Sequence, residues 1–219
     1  LRVDRAVALK AQNSDEGYRA REVLTLAVQQ PESESGFIPD VTSLQVPPGK
    51  YKLAVQLSDQ VSGKWNIYLQ DIEVPAFGDG LAMSDLEMAW TVSKDPWEAK
   101  YKKDDLWVVP MPTRAYRRNQ PTFAYYEVYN LTKDDFGRTK YRIDYAIRHH
   151  RKPGVLGSLR AGLGKLRPGT KPEVTVSYER DGDSAWEPIY LELETAALRP
   201  GWSQVAVTVT DLNRDQTVS

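Results

Sequence analysis

His149 and His150 are the chain's two histidines, adjacent in "RHHRK". Imidazoles hold metals and shuttle protons. Neighbours on a strand point to opposite faces, however, so this pair is badly placed to share one ion. The expected role is a solvated strand end entering a basic loop. There is no cysteine, which removes thiolate ligands, cysteine nucleophiles and disulfides together. Asp134 and Asp135 in "KDDFG", and Asp181 and Asp183 in "RDGDSAW", set carboxylates beside glycine. Calcium uses such oxygens, but the twelve-residue loop spacing is absent. Asp with Gly is also what a tight turn requires, and a turn is the expected role. Ser158 in "LGSLRAG" lacks the G-x-S-x-G frame of a hydrolase nucleophile. Gly164-Lys165 is followed by Leu166, and Leu159 stands where a phosphate-binding loop needs its first glycine. Asn130 in "NLT" fits a glycosylation sequon but falls in an aromatic, strand-like run. These patterns assign no catalytic residue, no metal site and no cofactor. The expectation is a protein that is not an enzyme.

One segment differs in charge from its surroundings. "RHHRKPGVLGSLRAGLGKLRPGTK", residues 148 to 171, carries Arg148, Arg151, Lys152, Arg160, Lys165, Arg167 and Lys171 and no acid. Leu156, Leu159, Leu163 and Leu166 recur at helical spacing. Gly157, Gly162 and Gly164 each oppose a helix by up to about 1 kcal/mol. Three roles compete for this insertion. It is solvated; or Leu159, Leu163 and Leu166 bury against a protein partner, with the basic groups facing acidic ones; or it touches anionic lipid or nucleic acid. The formal net charge of the whole chain is -1, which gives no general attraction to nucleic acid or membrane. "DPWEAKYKKDDLW", residues 95 to 107, is a second candidate contact surface. It holds Trp97 and Trp107 in a long charged connection suited to lie across a neighbour.

Strands must position these groups. Tyr141, Ile143, Tyr145 and Ile147 alternate with polar or small residues, the period of a half-buried strand. "FAYYEVYNL" before it is apolar on both faces, and "TKDDFGRT" between them reads as the turn of a β-hairpin. A longer pattern sets the architecture. "PPGKYKLAVQLSD" at 47 to 59 returns as "RPGWSQVAVTVTD" at 199 to 211. Leu53, Val55 and Leu57 match Val205, Val207 and Val209. Each copy opens on Pro-Gly and closes on Asp. Tyr51 is placed to bond back to its own corner, as in the tyrosine corner of immunoglobulin-like sandwiches.

The repeat predicts an all-β chain of two tandem immunoglobulin-like β-sandwiches. The first spans 1 to 75, and the second spans 80 to 219 with the insertion at 148 to 171. The boundary falls in "PAFGDG". The chain opens "LRVDRAVALK", without Met and already alternating. The first sandwich therefore reads as N-terminally incomplete and trimmed from something longer. After Asp211 only "LNRDQTVS" remains, so the second reads as lacking its last strand.

The middle of the chain resembles a known group. "LAMSDLEMAW" is followed by "VVPMPTRAYRRNQPTFAYYEVYNLTKDDFGRTKYRIDYAI". The "SDLE-A", "V-P-P", "Y-EVYNL" and "D-FG-T-Y" segments resemble the region downstream of the GWxTD domain in bacterial envelope proteins. The resemblance covers roughly residues 45 to 150. The GWxTD segment itself is absent here. The resemblance implies an immunoglobulin-like region of a larger, exported bacterial protein, periplasmic or envelope-associated, and it carries over no catalytic residue. The expected function is a structural or protein-interaction module, whose partners are other subunits or other domains of its own full-length chain. Two rivals are a carbohydrate-binding or hydrolytic β-sandwich, stacking Trp and Tyr on sugar rings, and an accessory subunit held on an anionic membrane surface by the basic insertion.

Overall fold

The computed structural model describes residues 2–25, 38–150, 174–196 and 198–219. Among them the regular structure is β, with no α-helix and a single 3₁₀ turn at Ala99–Tyr101. The chain forms two compact units. One is Leu1–Gly78 with Ala99–Tyr101; the other is Asp79–Glu98 with Lys102–Ser219.

The first unit holds β1 (Arg2–Ala11), β2 (Gly17–Thr25), β3 (Gly49–Asp59) and β4 (Trp65–Val74). They make one antiparallel sheet in the order β2-β1-β3-β4. Val7 faces Val55 and Leu9 faces Leu53 across the β1–β3 ladder. Directly opposed residues share a face, so Arg5, Val7, Leu9, Tyr51, Leu53 and Val55 line one side of the sheet. Arg5 is only 8% exposed because two acids meet it there. Its guanidinium hydrogen-bonds Glu22 at 2.8 Å and also Asp40, which precedes β3. Lys100 Nζ lies 3.3 Å from the other Asp40 oxygen, an ion pair without hydrogen-bond alignment. The Tyr51 hydroxyl donates to the Pro47 carbonyl at 2.7 Å, closing the corner that the sequence suggests. The described residues of this unit supply one sheet and no facing second sheet.

The second unit is a two-sheet sandwich. Its strands are β5 (Ala82–Met83), β6 (Glu87–Ser93), β7 (Lys102–Lys103), β8 (Leu106–Pro110), β9 (Phe123–Tyr129), β10 (Thr139–His150), β11 (Val174–Gly182), β12 (Glu187–Glu192), β13 (Trp202–Asp211) and β14 (Gln216–Val218). One sheet runs β11-β10-β13-β14; the other runs β12-β9-β6-β8-β7, with β5 also on β9. Tyr126 and Val128 of β9 and Ile189 and Leu191 of β12 pack against Tyr141, Ile143 and Ile147 of β10 and Val207 and Val209 of β13. Each such aliphatic side chain, fully buried, contributes about 1.5 to 3 kcal/mol.

The expected hairpin between "FAYYEVYNL" and "KYRIDYAI" does not form. β9 and β10 belong to opposite sheets and are joined by an arch, with one isolated bridge between Lys133 and Thr139. The reason is burial. Both strands carry a fully apolar face, and only a sheet-to-sheet crossing lets those faces meet. Asn130 turns the corner at φ 62°. Asp211, 0% exposed, pins the arch by accepting the Thr132 N–H at 2.7 Å.

Candidate functional site

The residues singled out by sequence divide into two groups. Arg151, Lys152, Leu159, Arg160, Leu163, Lys165, Leu166 and Arg167 lie outside the described residues. The rest are separate. Arg148 is exposed near the end of β10. Trp97 is 47% exposed in the connection after β6. Trp107 is half-buried on β8, with Lys102 Nζ 5.6 Å from its ring centroid. Its indole N–H is enclosed and meets no acceptor among the described residues.

The acids and histidines have structural work. Asp134 Oδ1 accepts the Phe136 and Arg138 N–H groups at 2.9 and 2.8 Å, which shapes the arch. His149 pairs with Ser203 across the β10–β13 ladder. Gly201, at φ 144°, passes so close that a Cβ there would sit 2.6 Å from His149 Cε1. A larger residue at this position would have to push the His149 ring aside, in addition to adopting a backbone that favours glycine. Among the described residues no three His, Asp or Glu side chains gather as a metal site.

The sequence reading missed a cleft in the second unit, of about 800 Å³. Leu86 and Met88 at the start of β6, Ile147 of β10, Val205 of β13 and Leu193 and Leu198 make its apolar lining. Arg114, Arg117, Arg118 and Arg199 also line it, and no Asp or Glu does. Three of these arginines come from "TRAYRR", whose run of charge beside the turn-forming "NQP" was the available signal.

Local bonding fixes the loop that carries them. Arg114 N–H donates to the Met111 carbonyl at 2.9 Å, and Gln120 N–H to the Arg117 carbonyl at 3.1 Å. Gln120 Oε1 accepts the Arg117 N–H at 2.9 Å. The Tyr116 hydroxyl anchors the centre by donating to the Ala89 carbonyl at 2.9 Å, and burial pushes its pKa far up, so it stays a donor. Arg114 and Asn119 take positive φ, 50° and 64°. The loop is a built structure presenting exposed cations.

A second polar cluster lies on the face of β9 opposite Tyr126 and Val128, beside a smaller apolar cluster of Ala89, Leu106, Val108 and Tyr125. Glu127 accepts from the Tyr125 hydroxyl at 2.8 Å, the Trp186 indole N–H at 3.1 Å and the Tyr129 hydroxyl. Burial alone would raise its pKa. The three donated hydrogen bonds and the nearby Lys103 outweigh burial and set it below the usual glutamate range. Glu127 is therefore held ionised, which suits a structural acceptor and not a general acid. Trp186 and Tyr190, 38% and 44% exposed, flank it.

Comparison with known proteins returns nothing to set beside this geometry: no family model, no curated protein and no solved structure matches the chain.

Proposed function

We infer that this chain is a non-enzymatic interaction module: two β units that dock on other subunits, or on other domains of its own protein, in a bacterial envelope assembly. The observation that carries this reading is a side of the first unit's sheet that no second sheet covers among the described residues. Trp65, Ile67 and Leu69 of β4 are 66%, 44% and 59% exposed, and alternate residues of a strand share one face. The β3–β4 and β1–β2 registers put Ala54 and Val23 on that same face, Val23 being 42% exposed. Trp65, Ile67 and Leu69 beside Ala54 make an exposed apolar strip, from which Asp4 and Ser58 separate Val23, and exposed apolar strips of this kind mark binding surfaces. The envelope location rests on the resemblance carried by the "SDLE-A" and "Y-EVYNL" segments, and the immunoglobulin-like character on the repeated late strand.

A photo-crosslinker placed at Ile67 or Leu69, in a bacterium making the protein, tests this. Discrete protein adducts in the envelope fraction are expected. Absence of protein adducts from both positions rejects the reading. Retention on polysaccharide, or flotation with anionic liposomes that salt reverses, would transfer support to the carbohydrate or membrane rival.

A further inference from the structure

Among the described residues β13 is paired along only part of one side. β10 pairs with it along its whole length, from Asp211 opposite Tyr141 to Trp202 opposite His150. On the other side β14 covers only Val209, Thr210 and Asp211. Among the described residues nothing pairs with Trp202 to Thr208 there. Along such an edge every second residue turns its N–H and C=O outward, unpaired.

The first unit shows what this place holds when it is filled. β3 is the earlier copy of the same strand, and β4 runs beside it from Ser58–Trp65 to Gly49–Val74. The position that β4 occupies along Lys50 to Gln56 has no occupant along Trp202 to Thr208 among the described residues. Side-chain burial agrees. Val207 and Val209 are 3% and 0% exposed, whereas Val205, next on the same inward face, is only half-buried. Val205, Leu86 and Met88 line the cleft described above, which is where the inward side chains of an added strand would go.

We propose that this edge and cleft together accept an extended, acidic segment of a partner protein, added to the sheet as a strand beside β13. Backbone hydrogen bonds to Trp202–Thr208 hold the segment, and its alternate apolar side chains fill the cleft over Leu86, Met88 and Val205. This is strand addition to an incomplete sandwich. Charge selects the occupant. Arg114, Arg117, Arg118 and Arg199 line the cleft; Asp85 and Glu87 line the adjoining hollow that shares Leu86, Met88 and Arg114, and Glu87 is already paired with Lys103. Among the described residues Arg114, Arg118 and Arg199 make no ion pair. An acidic strand neutralises them. The chain's own insertion carries Arg160, Lys165 and Arg167 and has the wrong sign. The proposal rests on the interaction-module reading and names that module's second contact.

The test uses the 219-residue chain and three capped nonapeptides: alternating Val and Glu, alternating Val and Lys, and the Val–Glu peptide N-methylated at alternate residues. Calorimetry should show saturable binding of the Val–Glu peptide, binding of the Val–Lys peptide at least about tenfold weaker, and none of the N-methylated peptide. Hydrogen exchange should slow on binding at the outward-facing amides among residues 203 to 208 and stay unchanged at 209 to 211. The variant Arg118→Glu/Arg199→Glu, which leaves Arg114 and Arg117 against two new carboxylates, should abolish the preference between the two charged peptides. Equal binding of the Glu and Lys peptides, undiminished binding of the N-methylated one, or no binding of any overturns the proposal. So does slow exchange in the free chain at the outward-facing amides among 203 to 208, those not bonded to β10, because the protein's own residues would then cover the edge. Those failures leave crosslinking from Ile67 intact, whereas loss of that crosslinking with peptide binding retained rejects the first-unit contact alone.

Discussion

β3 and β13 are the same strand written twice, and the two copies sit at different depths. Both open on a Pro-Gly with φ 158° or 144° at the glycine. Both close on an aspartate that accepts the N–H two residues on, Val61 for Asp59 and Asn213 for Asp211, at 2.9 Å. Their neighbours differ. The strand opposite β13 presents Ile147, Tyr145 and Ile143 to Val205, Val207 and Val209. The strand opposite β3 presents Leu9, Val7 and Arg5 to Leu53, Val55 and Leu57. Arg5 thus takes the place of Ile143. Leu57 beside it is 45% exposed, whereas Val209 is 0% exposed. A second sheet covers the later copy. The earlier copy is covered by the short approach to β3, with Asp40 tied to Arg5. The same local sequence therefore serves as deep core in one unit and as a shallow layer in the other. What differs is the context supplied by the rest of the chain.

That contrast can be broken at its deepest point. Ile143→Ala should lower stability by about 3 kcal/mol, through lost burial and the cavity left behind. Leu57→Ala, at a half-exposed site, should cost under about 1 kcal/mol. Urea unfolding followed by fluorescence measures both, and similar losses would mean that the two copies are equally buried in solution.

The closing aspartates come next. Asp211→Ala leaves the Thr132 and Asn213 N–H groups without their acceptor inside the second unit, so a loss of about 2 kcal/mol is expected. Asp59→Ala should show a clearly smaller shift, because water replaces its partners. Hydrogen exchange at Thr132 and at Val61 reads each site directly.

A smaller effect, within the second unit, is read by pH. The folded pKa of Glu127 is depressed, so its contribution is present above the ordinary glutamate value and is lost as pH falls through the folded one. Glu187, raised chiefly by burial, works in the opposite direction over the same acid range. Acid unfolding of Glu127→Gln should be less steep than that of the parent, by under about 1 kcal/mol for this partly solvated group. An unchanged acid profile would remove Glu127 as a stabilising acceptor.

Last, the Tyr126 hydroxyl is enclosed in the second unit without a partner among the described residues. Tyr126→Phe should be neutral or gain up to about 1 kcal/mol. A loss would reveal a bond that the first unit's shallow layer has no counterpart for.

The strand content of this chain was legible because alternation is a local property. Val205, Val207 and Val209 announce a strand whatever surrounds them. The pairing of strands was less legible. "TKDDFGRT" has the chemistry of a hairpin turn, and Asp134 does cap a turn there. Whether that turn joins neighbours in one sheet or crosses between two depends on which face Tyr126 and Tyr141 must bury, and burial is set by distant strands. The cleft was the least legible feature. Its lining comes from β6, the loop after β8, β10 and the approach to β13, and no window of sequence holds them together. "TRAYRR" gave its charge away, but only the fold sets that charge against an apolar floor.

The arginines beside the bare side of β13 also bear on how the protein behaves when crowded with copies of itself. An unpaired edge is a template for unwanted self-pairing, and natural sheets guard such edges with charge. Two chains meeting edge to edge along Trp202 to Thr208 would bring Arg114, Arg118 and Arg199 of each toward the same set on the other. At low ionic strength that repulsion keeps the chains apart. Salt shortens its reach, to about 8 Å at physiological strength, and weakens the guard. The same cations that would welcome an acidic strand thus act as gatekeepers of solubility, and a negatively charged partner, by neutralising them, would cover the edge at the moment it disarms its protection.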